Sequence, residues 1–287
     1  MITNLAMTIK SQTISLANRL LSLAGVTIRP MRGLERQITG WEVLKTTRSR
    51  KRSSEDGQAV RHSDGTIVST VDSGRSIAWF VMNPKDVIQS EHMRGKFYEQ
   101  EELDIIRSLY KGGVFVDIGA NVGNHALFAA RNLGAPRVIC FEPNPAAFEI
   151  LKLNFLLNEV SDRLDLRTVG LSDRADMLPL VASENNLGDG RFGDTTTTSD
   201  QTLQVLVGDE QLTDVAPGFV KIDVEGMEIR VLAGLRELIG RSRPPMLVEV
   251  DAANDRAFVE FLASIDYRIV RTCTRYTANC NYAISAS

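Results

Sequence analysis

The chain has 287 residues, of which 43% are hydrophobic and 24% are charged, and its formal net charge is −3 at pH 7. These proportions are typical of a globular protein, and they exclude collagen-like, disulfide-scaffold and wholly disordered chains. No stretch approaches the roughly 18 uncharged apolar residues of a membrane-spanning helix, so we do not expect an integral membrane protein.

The first 62 residues carry an excess of positive charge. They contain 11 Lys and Arg against 4 Asp and Glu, a net charge of +7, whereas residues 63–287 contain 22 against 32. Apolar residues recur at helical spacing from Leu5 to Leu23, and a basic cluster follows from Arg48 to Arg52. We expect a basic N-terminal extension over residues 1–75, helical or partly disordered, ahead of a domain over residues 76–287. A packed or disordered arm is our first interpretation, and a membrane-surface anchor or an organelle transit peptide are the alternatives.

Alternating strands and helices are predicted after this extension. We expect a strand over residues 76–81 and a helix over residues 98–109, with acidic residues in the first turn of the helix. From Val114 onward the alternation indicates a parallel sheet that is covered on both faces. An apolar strand over residues 114–118 leads directly into a glycine-containing turn, residues 119–123, and then into a helix. Such a turn lets a ligand approach backbone N–H groups at the carboxyl end of a strand.

Glycine spacing in this turn bears on the kind of ligand. Gly119 and Gly123 are separated by three residues, whereas the dinucleotide fingerprint G-x-G-x-x-G has a middle glycine. This difference weakens NAD or FAD as ligand without excluding them, and Asp117 would suit a cationic amine beside the turn. The next strand, residues 137–141, is followed by Glu142, and an acid at this position can accept both hydroxyl groups of an adenosine ribose. We therefore predict a ligand that contains adenosine.

A second cluster of charged residues lies in the segment Val-Lys-Ile-Asp-Val-Glu-Gly. Lys221, Asp223 and Glu225 alternate there, so they share one face if the segment is extended. A strand that is buried on both faces should be nearly all apolar. We therefore favour a functional site over the alternative of an internal ion pair between Lys221 and Asp223. Glu249, at the end of the next strand, would face the same crevice.

Several of these segments resemble the FkbM family of S-adenosylmethionine-dependent methyltransferases. The matching motifs are F-V-D-I-G-A-N-V-G-N-H (115–125), F-E-P-N (141–144), V-G-L-S-D (169–173) and V-K-I-D-V-E-G-M-E (220–228), with G-K-F-Y-E (95–99) and N-Y-A-I (281–284) extending the match. They keep the order and spacing of the family, and the resemblance covers residues 95–287. It implies an α/β fold of the class I methyltransferase type. Such a fold has a Rossmann-like, mostly parallel seven-stranded sheet, helices on both faces and a final antiparallel hairpin.

Segments suited to this fold occur in the required order. The expected strands are residues 114–118, 138–141, 164–169, 219–222, 246–250, 267–271 and 281–285. The expected helices between them are residues 125–132, 146–158, 225–239 and 254–264.

The resemblance also implies that S-adenosylmethionine binds at the carboxyl edge of this sheet. The implied contacts are Asp117, Gly119, Asn121 and Gly123 for the methionine part, Glu142 for the ribose with Asn144 of the same turn, Leu171 and Ser172 for the adenine, and Tyr98 and Glu99 as an upstream segment that closes over the cofactor.

The expected reaction transfers a methyl group to an oxygen nucleophile. A hydroxyl acceptor must be positioned in line with the methyl group, and a carboxylate or imidazole within hydrogen-bonding reach would assist removal of its proton. The candidates for this role are Asp223, Glu225, Glu249 and His125, of which we favour Asp223 or Glu225. Lys221 is a candidate substrate contact. We predict no metal site, because the sequence offers no ligand set beyond these same carboxylates.

A polar stretch over residues 182–202 is the remaining candidate for acceptor binding. The resemblance implies an insertion near the substrate here, and Asn186 and Arg191 are the candidate substrate contacts. The alternative is a hairpin without a role, although long loops in compact domains are more often functional or disordered.

We therefore predict an enzyme that methylates a hydroxyl group of a sugar or glycan. The alternatives are a polyketide or other small-molecule tailoring O-methyltransferase, a nicotinamide oxidoreductase, and a non-catalytic binding protein that keeps the cofactor fold. The acidic core domain argues against a nucleic-acid partner. Three cysteines without a paired framework fit a reducing compartment, so we expect a cytoplasmic protein, with peripheral membrane contact through the basic extension as a further expectation.

Overall fold

The computed structural model describes residues 65–181 except residue 73, residues 202–287 except residues 275 and 276, and the backbone of the strand segments 42–44, 58–62 and 191–192. The helix predicted between Leu5 and Leu23, the basic cluster around Arg50 and the candidate substrate contact Asn186 lie outside the described residues. Within the described ranges, no helix combines the length and the apolar character needed to cross a membrane.

Strands and helices alternate along most of the described chain. The strands are β1 (Glu42–Leu44), β2 (Gln58–His62), β3 (Gly65–Asp72), β4 (Arg75–Val81), β5 (Val114–Ile118), β6 (Arg137–Phe141), β7 (Leu164–Arg167), β8 (Gly170–Ser172), β9 (Asp176–Val181), β10 (Arg191–Phe192), β11 (Thr202–Val207), β12 (Pro217–Ile222), β13 (Met246–Asp251), β14 (Tyr267–Cys273) and β15 (Asn279–Ala286). The helices are α1 (Val87–Met93), α2 (Gln100–Leu109), α3 (Asn124–Arg131), α4 (Pro145–Leu157), α5 (Gly208–Gln211), α6 (Glu228–Gly234), α7 (Arg236–Ser242) and α8 (Asp255–Ile265).

Seven strands form the central sheet, in the order β14-β15-β13-β12-β5-β6-β7. The five strands from β13 to β7 pair in parallel, and β15 is antiparallel to both of its neighbours. The strand order reverses between β5 and β12, and open α/β sheets bind their ligands at such a switch point. This architecture confirms the predicted fold class, including the final antiparallel hairpin.

Two apolar cores lie on opposite faces of the central sheet. Phe115 and Phe219 belong to the first core, where their rings stack with centroids 5.5 Å apart, under helices α2, α3 and α4. The following residues, Val116 and Val220, belong to the second core, under helices α6, α7 and α8. Because the central strands are covered on both faces, they are nearly continuous in apolar residues, and charged side chains are confined to their ends.

A separate four-stranded antiparallel sheet, β1-β2-β3-β4, precedes the central sheet in the chain. Trp79 of β4 is fully buried in the first core, so this sheet packs as a layer against the methyltransferase-type fold. Strand β4 confirms the strand predicted over residues 76–81. The domain boundary predicted at residue 76 falls inside the β3–β4 hairpin, which spans it.

Two asparagines, Asn154 of α4 and its C-cap residue Asn158, attach the outer edge of β4 to the central domain. Asn158 accepts a hydrogen bond from the Ala78 N–H at 2.9 Å and donates to the Ala78 carbonyl at 2.6 Å. Asn154 accepts from the Phe80 N–H at 2.7 Å and donates to the carbonyl of Val122, in the glycine-containing turn, at 2.8 Å. Side-chain amides therefore occupy the place of a fifth strand, and one of them connects β4 to the turn after β5.

A second small sheet, which we did not predict, contains the strands that flank the polar stretch 182–202. Its order is β10-β9-β11-β8, with β11 parallel to β8 and antiparallel to β9. Leu178 and Val205 of this sheet pack against Met227. The sheet thus lies beside the loop that follows β12, where the second cluster of charged residues is found.

The single helix predicted over residues 225–239 is two helices instead. Helix α6 begins at Glu228 and helix α7 begins at Arg236. The carboxylate of Asp209 accepts hydrogen bonds from the backbone N–H groups of Glu237 and Leu238, at 2.9 and 2.8 Å, and so supplies the second helix with its own N-terminal partner. Residues between β12 and α6 form a loop, and Glu225 belongs to this loop rather than to a first helical turn.

Candidate active site

The turn after β5 and the loop after β12 are in direct backbone contact. The Asp223 N–H donates to the Ile118 carbonyl at 3.0 Å. Gly119 has φ +77, and a Cβ atom at this position would lie 1.8 Å from the backbone oxygen of Asp223. Glycine is therefore required at residue 119 by both conformation and close approach. The two motifs that the sequence analysis singled out meet at the carboxyl edge of the central sheet.

Glu142, at the end of β6, is held as a buried hydrogen-bond acceptor. Its Oε2 accepts from the Asn121 N–H and its Oε1 accepts from the Asn144 N–H, both at 2.7 Å. Burial raises the pKa of Glu142 to about 7, although both backbone donors oppose this effect. Each carboxylate oxygen keeps a further lone pair, so the group can accept two hydroxyl groups of a ligand.

Asn144 acts on this site through its backbone. Its N–H fixes Glu142, while its side chain accepts from the Ala146 N–H at 3.0 Å and caps helix α4. The cofactor contact predicted for the Asn144 side chain stays a prediction.

Lys221 is buried beneath the turn, and its ammonium group is surrounded by oxygen atoms. Its Nζ donates to the Gly119 carbonyl at 2.8 Å and lies 3.2 Å from Asp117 Oδ1 and 3.3 Å from Asp223 Oδ2. Burial alone would lower the pKa of Lys221, but Asp117 and Asp223 outweigh it and raise this pKa. Burial raises the pKa of Asp117, and the Lys221 ammonium opposes that effect.

One backbone hydrogen bond and two ion pairs hold the Lys221 ammonium within the protein. The ion pair with Asp223, which we had ranked below a substrate-facing role, is present. A substrate contact through Lys221 would have to displace one of these partners.

Three carboxylates gather above Lys221, at the ends of β12 and β13. Oxygens of Asp223, Glu225 and Glu249 all lie within 4.8 Å of one another. Asn279 donates to Glu249 Oε1 at 2.7 Å and Asn281 donates to Oε2 at 3.2 Å. Burial, followed by the negative charges of Asp223 and its neighbours, raises the pKa of Glu249 to about 9. The group as a whole offers proton acceptors, or oxygen ligands that could hold a divalent cation.

The upstream segment predicted to close over the cofactor reaches the same edge of the sheet. Glu99 Oε2 lies 3.3 Å from His125 Nε2, and both side chains are nearly buried. The Tyr98 backbone is hydrogen-bonded in both directions to the side chain of Asn124. His125, a candidate base, therefore has an acidic neighbour in Glu99 and lies in the first turn of α3.

Three predicted site residues adopt a left-handed backbone conformation, as do Glu159, Arg243 and Asp266 elsewhere in the described chain. The three site residues are Glu99 (φ 58), Asn121 (φ 49) and Glu225 (φ 49). Left-handed conformations of this kind are uncommon for residues with a side chain, and they recur at functional sites. The conformation gives each of these side chains a direction that a regular strand or helix would not.

Four predicted site residues remain to be placed: Leu171, Ser172, Arg191 and Asn186. Leu171 is buried in the second core, and Ser172 is buried and donates its hydroxyl to Asp173 at 3.0 Å. Their contact with adenine stays a prediction. Arg191 lies in β10, where the backbone pairs with Val181 but the side chain is outside the described residues, as is Asn186.

Sequence reasoning missed the amides that hold the acidic residues. Asn279 and Asn281 fix Glu249, and Asn124 fixes the segment before α2. Two of them stand inside motifs that we had quoted, G-N-H and N-Y-A-I. The signal that could have identified them was a polar residue at a position that the predicted fold would bury, because buried polar groups are almost always hydrogen-bonded.

The family model and the curated relatives that match this chain are all methyltransferases. The family model described as "Methyltransferase FkbM domain" matches residues 117–282. Among curated proteins, the hexuronic acid methyltransferase AglP of Haloferax volcanii is 28% identical over 203 residues, which are 67% of this chain and 77% of that protein. The methyltransferase sdnD of Sordaria araneosa is 28% identical over 172 residues, 46% of this chain and 64% of that protein.

A solved structure with the same family name is also similar. The methyltransferase FkbM of Methylobacillus flagellatus is 23% identical, with a TM-score of 0.44, and the match covers 59% of this chain and 42% of that chain.

Proposed function

The chain belongs to the FkbM methyltransferase family, and from this membership we propose that its methyl donor is S-adenosylmethionine and its acceptor a hydroxyl group of a sugar or glycan. One observation carries the proposal: a buried ribose-type acceptor, Glu142, and a group of three carboxylates lie at the same edge of one sheet. The first suits a nucleoside cofactor, and the second suits removal of a proton from an acceptor.

Residues in the turn and in β6 fit this cofactor. Glu142 already accepts one backbone N–H at each oxygen, so its orientation is fixed before a ribose arrives. Asp117 is fully buried at the end of β5 and already pairs with the Lys221 ammonium, so a cofactor amine would have to share its carboxylate with Lys221. Bound S-adenosylmethionine supplies an activated methyl group. The protein residues bind it, orient the acceptor and accept the proton of the acceptor.

Proton removal falls to Asp223 or Glu225. Burial and the neighbouring acids raise the pKa of Glu249 and so disfavour the ionised form that a base needs. One oxygen of Asp223 is engaged by Lys221, and Glu225 extends from a loop in a left-handed conformation. A hydroxyl that donates to either carboxylate becomes a better nucleophile as its proton is withdrawn.

The charge of this group favours a hydroxyl over a carboxylate as nucleophile. A carboxylate acceptor is ionised at neutral pH, needs no base, and would be repelled by Asp223 and Glu225. A hydroxyl is neutral and needs a base within hydrogen-bonding distance. The name of the Haloferax volcanii relative, which refers to hexuronic acid, supports a sugar-type acceptor. In a sugar acid of this kind we propose that a ring hydroxyl, and not the carboxyl group, is methylated.

Incubation with S-adenosylmethionine and a panel of neutral and acidic oligosaccharides tests the proposal. The expected product gains one methyl group and survives mild alkali, because an ether resists hydrolysis that cleaves a methyl ester. Asp223→Asn and Glu225→Gln are compared with Glu149→Gln, an exposed acid on α4 that pairs only with Lys152 among the described residues. Loss of the base should lower kcat by about 10²- to 10⁴-fold. An alkali-labile product, or full activity in both site variants, would contradict the proposal.

A further inference from the structure

A buried polar network connects the N-terminal layer to the turn that follows β5. Its centre is Asn124, the first residue of α3, which is 3% exposed. Its Oδ1 accepts from the Tyr98 N–H at 2.8 Å, and its Nδ2 donates to the Tyr98 carbonyl at 3.0 Å. The amide thus pairs with both backbone groups of one residue, as a neighbouring strand would.

A hydrogen bond from His92 fixes the orientation of the Asn124 amide. His92 Nε2 lies 3.1 Å from Asn124 Oδ1, which is also the atom that accepts from Tyr98, so Nε2 must carry the proton. Burial lowers the pKa of His92 to about 4, and the ring is therefore neutral at physiological pH. His92 Nδ1 has no hydrogen-bond partner among the described residues, as expected for the unprotonated nitrogen of this tautomer.

The His92 ring is itself fixed by the N-terminal layer. Trp79 of β4 stacks on it with ring centroids 3.7 Å apart and planes within 8°. Phe97, the residue before Tyr98, packs its ring edge-on against Trp79 at 4.8 Å. The network therefore begins in residues that precede the matched family region and ends at the cofactor turn.

Glu99 is the residue that this network presents to the site. It follows Tyr98 directly, has φ 58 and approaches His125, the neighbour of Asn124, at 3.3 Å. Its charge acts on the site, since it contributes to the raised pKa values of Lys221 and Glu249. A left-handed residue at the start of a helix needs its preceding backbone held in place, and Asn124 holds that backbone.

We propose that Asn124 is a positioning residue that fixes Tyr98 so that Glu99 is held against the cofactor turn, and that His92 fixes the orientation of the Asn124 amide. The inference rests on the proposed function, together with the contact between Glu99 and S-adenosylmethionine that the family resemblance implies. Asn124 does not contact the cofactor itself and acts only through Glu99.

A double-mutant cycle with S-adenosylhomocysteine as the ligand tests this dependence. The full-length chain is prepared as wild type, Asn124→Ala, Glu99→Ala and the double variant, and each Kd is measured by calorimetry. Each single substitution should raise Kd by about tenfold or more. The Kd of the double variant should exceed the higher of the two single-variant values by no more than about twofold. Tyr267→Phe is the control, because it removes a buried side chain-to-backbone hydrogen bond, from the Tyr267 hydroxyl to the Pro244 carbonyl at 3.0 Å, that is not part of this network. Its Kd should equal that of the wild type.

His92→Phe provides a second measurement if Asn124→Ala does not fold. Phenylalanine keeps a ring beneath Trp79 but removes the Nε2–H donor. We expect a Kd raised several-fold in the wild-type background and unchanged in the Glu99→Ala background. The inference is overturned if the factors by which Asn124→Ala and Glu99→Ala raise Kd multiply in the double variant, or if folded Asn124→Ala has an unchanged Kd. Either result leaves the proposed function intact. A wild-type protein that binds no S-adenosylhomocysteine would instead overturn the proposed function, and the inference with it.

Discussion

Replacing Glu142 with alanine separates binding of the cofactor from stability of the fold. In the proposed complex its carboxylate accepts ribose hydroxyls, and hydrogen bonds to a charged group contribute about 1.5–3 kcal/mol. Glu142→Ala should therefore raise the Kd for S-adenosylhomocysteine by about 10- to 150-fold at pH 8. Glu149→Ala, which removes an exposed acid from α4, should leave this Kd unchanged.

The folded state should survive this substitution, because two opposing effects accompany it. Alanine leaves the N–H groups of Asn121 and Asn144 without their acceptor, at about 1–3 kcal/mol each. It also removes a buried charge whose pKa is raised from 4.5 to about 7. At 1.36 kcal/mol per pH unit, that charge costs the wild type about 3 kcal/mol above pH 7.

The sign of the pH dependence follows from the raised pKa. The favourable contribution of protonated Glu142 to stability is complete below pH 4.5 and is lost as the pH rises through 7. Urea unfolding should therefore show Glu142→Ala gaining stability relative to wild type over this interval. Cofactor affinity runs the other way: wild-type Kd should rise as the pH falls below 7, and the variant should lack this change. An unaltered Kd in folded Glu142→Ala at pH 8 would refute the assignment.

Three further substitutions or deletions have definite expected outcomes. Gly119→Ala should abolish binding of S-adenosylhomocysteine in calorimetry, because its Cβ would collide with the Asp223 backbone oxygen; normal binding would contradict the close approach. Lys221→Met should lower the free energy of unfolding by about 3–5 kcal/mol, since it leaves buried acids without a cation, whereas Lys152→Met in an exposed pair should cost less than about 1 kcal/mol. If urea unfolding shows equal losses of unfolding free energy in the two variants, Lys221 does not have the proposed role of neutralising the buried acids. A chain beginning at Ser63, which lacks the strands β1 and β2 of the N-terminal sheet, should lose liposome association that weakens with salt; the anchoring idea fails if the full-length chain shows no such association at low salt.

Local patterns were sufficient for the central sheet because its strands have strong apolar signals. The strand Val114–Ile118 and the turn after it are both readable from five apolar or acidic residues followed by two glycines. The small sheet that contains β8 and β11 was not readable, because β8 has three residues and its pairing with β11 joins segments separated by the polar stretch 182–202. Pairing at such a separation depends on tertiary contacts, which local periodicity does not encode.

Residue roles at the site were predicted less completely than residue positions. Glu142 lies at the end of β6, and oxygens of the predicted carboxylates Asp223, Glu225 and Glu249 lie within 4.8 Å of one another. The engagement of Lys221 by two acids and a carbonyl could not be derived, since its register opposite Asp117 depends on which strand lies beside β5. The raised pKa of Glu249 likewise depends on burial and on acids from two other segments, Glu99 before α2 and Asp223 and Glu225 after β12.

The attachment of β4 through Asn154 and Asn158 has a consequence for solubility. The edge of a sheet exposes unpaired N–H and carbonyl groups that can recruit a strand from another molecule. Both groups of Ala78 and the N–H of Phe80 are already occupied by side-chain amides of α4 and its C-cap residue, and helices do not propagate strand pairing. The N-terminal sheet is therefore blocked along β4 against growth into intermolecular β-structure, and this protection is provided by two side chains of a helix instead of by a further strand.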